Sequence, residues 1–135
     1  MSRLSRWLVR TAFLYLVVAL ALGVLLVWRP ALAQWPVLRR AAPTQLHLFV
    51  VGWITQLIAG VAYWLFPRTA RGAPPEDWRG WWVYGGLNLG LLLRAAAEPW
   101  AGSRWSAGVL PLSAALQFGA GLLLAITLWP RARAR

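Results

Sequence analysis

The 135 residues include no cysteine, no lysine, one histidine, one methionine and three acidic side chains. Each scarcity removes a class of chemistry. Without cysteine there are no disulfides, thiolate metal sites or iron–sulfur clusters. The acids are Glu76, Asp77 and Glu98. The first two are adjacent, and Glu98 is expected on the opposite side of a membrane, so no paired-carboxylate site forms. One histidine excludes a multi-histidine metal site, and no nucleophile–histidine–acid set is evident. No phosphate-binding loop is evident. A transporter needs intramembrane charge or broken helices in paired positions, and the sequence offers neither.

What remains is apolar, basic and aromatic. The chain is 60% hydrophobic, with 14 arginines and 11 tryptophans. Four apolar runs predict an all-α, integral membrane four-helix bundle forming a single domain over residues 1–135, with spans at about 11–28, 44–66, 77–97 and 107–129. The first run follows Arg3, Arg6 and Arg10 and is trailed by Ala31-Leu32-Ala33, which imitates a cleavable leader. It is longer than a usual leader core and reads as a retained span. Pro43-Thr44 makes a plausible cap for the second helix. Pro75, followed by Glu76 and Asp77, suits the start of the third. Pro111 lies near the start of the fourth.

The arginines gather at the ends of the runs. In a soluble protein such charge would point to nucleic acid. Here no basic face with interleaved aromatics exists outside the spans, so nucleic acid is excluded and anionic lipid headgroups are the expected partner. Nine arginines (Arg3, Arg6, Arg10, Arg68, Arg71, Arg79, Arg131, Arg133 and Arg135) fall on the side of both termini. Arg29, Arg39, Arg40 and Arg104 fall on the other, joined by Arg94 if it snorkels. This asymmetry predicts cytoplasmic termini in a multi-pass protein of the cell inner membrane. Most tryptophans sit at the predicted interfaces as an aromatic belt; Trp53 is the mid-span exception.

His47 is the candidate for chemistry. It lies about one turn into residues 41–67, a stretch of 27 without a charged side chain. An ionisable side chain within a span is costly and marks a functional site by default. A neutral imidazole can ligate haem iron. At helical spacing it shares a face with Val50, Val51 and Ile54, an apolar wall suited to a porphyrin. The competing reading is a histidine hydrogen-bonded to a neighbouring helix or resting at the wet interface. Arg94 is expected at similar depth and, with Arg39 and Arg40, is the candidate for anionic propionates. Its competing roles are snorkelling and pairing with Glu98 four residues on.

Gly86 and Gly90 form a GxxxG in the third helix, and Ala115/Gly119 and Gly121/Ala125 repeat the spacing in the fourth. These are expected packing positions, within or between chains. Gln56, Asn88, Ser113 and Gln117 are expected to bond across helices.

The segment QLHLFVVGWITQLIAGVAYWLFPR, residues 45–68, resembles the second helix of haem–copper oxidase subunit I and the related nitric oxide reductases. The matching positions are His47, Gly52, Gly60, Tyr63, Trp64 and Pro67. The stretch GLNLGLLLRAAAEP also looks like small four-helix proteins related to that superfamily. The resemblance implies that His47 is a haem axial ligand near the outer face and that the chain is a cytochrome-like haem b protein serving electron transfer or small-gas binding. It also implies a homotrimer reproducing the family's threefold layout, with a dimer as the other arrangement, and a respiratory-chain partner. The further histidines that copper and a second haem require are missing, so autonomous oxidase activity is not expected. The alternative is a cofactor-free accessory or assembly subunit of a larger membrane complex. A groove holding quinone, carotenoid or lipid is a further variant that no residue selects.

Overall fold

The computed structural model describes residues 1–28, 35–66 and 78–133. Helix α1 is Arg3–Val27, α2 Pro36–Arg39, α3 Ala42–His47, α4 Gln56–Leu65, α5 Trp78–Ala97 and α6 Arg104–Arg133. A π-helical segment, Leu48–Thr55, joins α3 to α4 without a break, and a 3-10 turn, Glu98–Trp100, follows α5. No strand occurs among the described residues. Three helical stretches are long and apolar enough to cross a membrane: Arg3–Val27, Ala42–Leu65 and Arg104–Ala132. By the same measure α5 does not qualify.

The boundaries differ from the sequence expectation for identifiable reasons. Helix α1 starts eight residues early because the Ser2 side chain accepts a hydrogen bond from the Ser5 amide at 3.1 Å and caps it. The arginines before the first run are therefore helical. The second helix starts at Ala42, with Ala41 in the capping position and no side-chain cap; Thr44 does not cap it. Helix α6 runs through both Pro111 and Pro130. The expected start of the third helix at Pro75–Asp77 lies outside the described residues.

Apolar burial cannot drive helices together in lipid, so close approach at small residues must. Three of the contacts here have such a point. At the α1–α4 crossing, a Cβ on Gly60 would sit 2.9 Å from Val9 Cγ2 and 3.1 Å from Leu8 Cβ. The buried Ser5 hydroxyl donates to the Gly60 carbonyl at 2.6 Å. Where the π segment crosses α1, a Cβ on Gly52 would sit 2.8 Å from Tyr15 Cβ. Gly86 and Gly90 receive α6: added Cβ atoms would meet Ala120 Cβ at 3.0 Å and Gln117 Cγ at 2.8 Å. The GxxxG contact is thus within the chain. Ser106, Ser113, Ala120 and Thr127, seven residues apart, are the buried positions of α6, the spacing of left-handed coiled packing.

Gly119 was expected among the packing positions, but nothing lies within 4 Å of a Cβ placed there. It falls on the opposite side of α6 from the Ser113/Ala120 row. That side exposes Leu112, Phe118, Leu122, Ile126 and Trp129.

A polar network ties three helices at mid-length. The Tyr15 hydroxyl donates to Asn88 Oδ1 at 2.8 Å. Gln56 Nε2 donates to Asn88 Oδ1, and Asn88 Nδ2 donates to Gln56 Oε1. Thr11 Oγ1 donates to Gln56 Oε1 at 3.0 Å. Gln56 is fully buried. Gln117, expected to bond across helices, leaves its buried Nε2 without a hydrogen-bond partner, as does Trp53 its Nε1. At one end Leu4, Leu8, Ala59 and Tyr63 cluster. There Arg131 lies over the Tyr63 ring at 5.4 Å. The start of α1 and the end of α6 therefore share an end of the assembly.

Candidate functional site

His47 sits at the other end, on the last turn of α3. Two acceptors approach its Nδ1: the Pro43 carbonyl at 2.8 Å and Glu98 Oε1 at 2.9 Å. A carbonyl and a carboxylate can only accept, so Nδ1 carries the proton. Arg94 Nη1 lies 3.3 Å from Nε2. A guanidinium can only donate, so Nε2 presents its lone pair. The tautomer follows from the partner types. The His47 side chain remains 29% exposed.

Glu98 is the hub. Its side chain is 8% exposed. Oε1 takes His47 Nδ1 and lies 3.5 Å from Arg94 Nη1; Oε2 accepts from Thr44 Oγ1 at 2.9 Å. Thr44, freed from capping, thus closes the carboxylate's far side. A buried carboxylate is tolerated when it is paired and hydrogen-bonded; here Arg94 supplies the opposite charge, and Thr44 and His47 supply hydrogen bonds. The 3-10 turn after Ala97 carries Glu98 back over the end of α3.

Arg94 belongs to the inward stripe of α5. Gly80, Val83, Leu87, Gly90 and Ala97 are the buried residues of that stripe, and Arg94 falls in step with them. Its Nε donates to Ser113 Oγ at 3.2 Å, and Ser113 donates to the Gly90 carbonyl at 2.8 Å. The guanidinium is therefore turned inward and held between α5, α6 and α3 rather than snorkelling.

The other expected site residues divide. Arg40 is exposed, and the Arg39 side chain lies outside the described residues. Val50 and Ile54 are exposed, at 42% and 36%. Val51 is not on that wall. It packs against both the Tyr15/Leu48/Leu91 cluster and the Val83/Leu87/Ala120 cluster. It lies inside the π segment, whose bonds from i to i+5 widen each turn. The Thr55 hydroxyl donating to the Val50 carbonyl at 2.9 Å spans the same five residues.

Sequence reasoning paired Glu98 with Arg94 but missed its bond to His47, and it missed Thr44 as a member of the site. Only the four-residue steps Gly86, Gly90, Arg94 and Glu98 hinted that the acid shares the packed face. Among the described residues no three histidine, cysteine, aspartate or glutamate side chains come together. A porphyrin iron asks for less, a single imidazole lone pair; the one on His47 Nε2 faces Arg94 Nη1. No family model, curated protein or solved structure matches this chain.

Proposed function

We propose that this chain is a membrane-embedded haem b protein of four spans with its termini in the cytoplasm, and that His47 Nε2 is an axial ligand. The observation that supports this is the fixed imidazole. Its Nδ1 N–H donates to Glu98 and Pro43, the outer-shell arrangement that orients a ligating histidine. Val50 and Ile54 give an apolar border, and Arg94 is the propionate partner within reach. Bound haem would supply a one-electron couple or a gas-binding iron. The residues themselves hold a proton on Nδ1, aim Nε2 and neutralise an acid group. The assembly that accompanies this reading is a homotrimer or dimer in the cell inner membrane.

A second reading has its own support. Both ring nitrogens of His47 already have partners in the chain. The cluster would then be a polar lock in a cofactor-free subunit of a larger complex. One spectrum separates the two. The haem reading expects a Soret band in protein purified from haem-replete cells, lost in His47→Ala while the helical circular dichroism is kept. A colourless, folded wild type that stays colourless with added haemin leaves the polar lock. Size in detergent reports the oligomer independently.

A further inference from the structure

We propose that Arg94 is a displaceable cap on His47, and that the ligand of this site must carry a carboxylate to draw the cap away. The proposal deepens the haem reading, and only its carboxylate half rests on it. The geometry is specific. The Arg94 Nη1 contact at 3.3 Å occupies the one ring atom not committed elsewhere. The Nε bond to Ser113 at 3.2 Å lies nearer the backbone. The guanidinium is planar and rigid, so swinging Nη1 off Nε2 turns the whole group and gives up the Ser113 contact with it. The cation does not leave empty-handed, because Glu98 Oε1 is 3.5 Å from the same Nη1. A planar, forked donor in this position suits a carboxylate by two parallel bonds. The fitting ligand combines a Lewis-acid centre for Nε2 with an acid group one side chain away. A metal porphyrin bearing free propionates has both; its dimethyl ester has only the first.

His47 is the chain's one histidine, so any imidazole signal in protein purified through a non-histidine tag reports this site alone. Three measurements on the full chain in detergent test the proposal. With ring-15N histidine, the unmodified protein is expected to show a protonated Nδ1 and an unprotonated, hydrogen-bonded Nε2. A freely titrating ring averaging both tautomers overturns the cap. Diethylpyrocarbonate, which reads the free lone pair, is expected to react about tenfold faster with Arg94→Ala than with wild type, the scale of losing one charge-assisted bond at a partly exposed site. Arg94→Lys, which keeps a donor, is expected to stay slow and guards against a misfolded alanine variant. Equal rates in wild type and Arg94→Ala, with both helical, overturn the cap. Wild type is expected to bind haemin at least about tenfold more tightly than haemin dimethyl ester, and Arg94→Ala to lose that preference. Equal binding of the two porphyrins by wild type overturns the carboxylate half. If neither porphyrin binds, the haem reading falls and the carboxylate half with it, while the cap is decided by the first two measurements.

Discussion

Replacing Gly52 by alanine should loosen the crossing of α1 with the π segment. The new methyl would lie 2.8 Å from Tyr15 Cβ, 2.8 Å from Tyr15 Cγ and 2.9 Å from Leu91 Cδ2. Non-bonded carbons rest at about 3.5–4.0 Å, so α1 and the π segment must separate by roughly 0.7 Å. Tyr15 cannot swing aside. Its ring is 8% exposed, and its hydroxyl is tied to Asn88 at 2.8 Å. Such overpacking costs about 1–3 kcal/mol. Against it stands the helix-propensity gain of alanine over glycine, about 1 kcal/mol. The strain matches or exceeds the gain, for a net loss of about 0–2 kcal/mol. Gly119→Ala is the matched control, because it takes the same gain with nothing within 4 Å to oppose it. Thermal unfolding in detergent, followed by circular dichroism, should rank Gly119→Ala at or above wild type and Gly52→Ala below it. Equal stability of the two variants would refute the packing argument.

Glu98→Ala should cost about 2–4 kcal/mol, since it strands the Thr44 hydroxyl and removes the acid that holds Arg94 and His47; denaturant titration reads this, and Glu98→Gln, which keeps an acceptor of the same shape, should recover part of the loss. Asn88→Ala removes the acceptor of Tyr15 and the reciprocal partner of Gln56 and should cost about 1–2 kcal/mol by the same titration, a modest figure because buried polar pairs in membranes average well below their nominal strength. Arg131→Ala should lose about 0.5–1 kcal/mol through its contact with the Tyr63 ring, and an unchanged midpoint would show that contact to be idle.

The helical class and the apolar runs were legible because long charge-free stretches have few other solutions. Gly86 and Gly90 were legible as packing positions for the same reason, since a four-residue step keeps small residues on one face. Gly119 carries the same signature and packs on nothing in the chain, because spacing states that residues share a face without stating what the face meets. The π segment was invisible: in LFVVGWIT every residue but Gly52 and Thr55 is apolar and bulky, so a change of pitch leaves no mark on the pattern. Glu98 was read as a neighbour of Arg94, four residues away, but its bond to His47 spans 51 positions and exists only because the 3-10 turn folds back over α3. Thr44 was assigned to its local task of capping. Ser2 took the corresponding task on α1, and a distant carboxylate took Thr44.

The widened turns between His47 and Gln56 also act as a phase adjuster. One polar group lies just before them and the other just after, on the same continuous rod. Deleting a single residue from that interval would rotate one end against the other by close to a quarter turn. The imidazole and the Asn88–Gln56 pair could then no longer both find their partners. A one-residue change in length would separate two centres that no point substitution touches together.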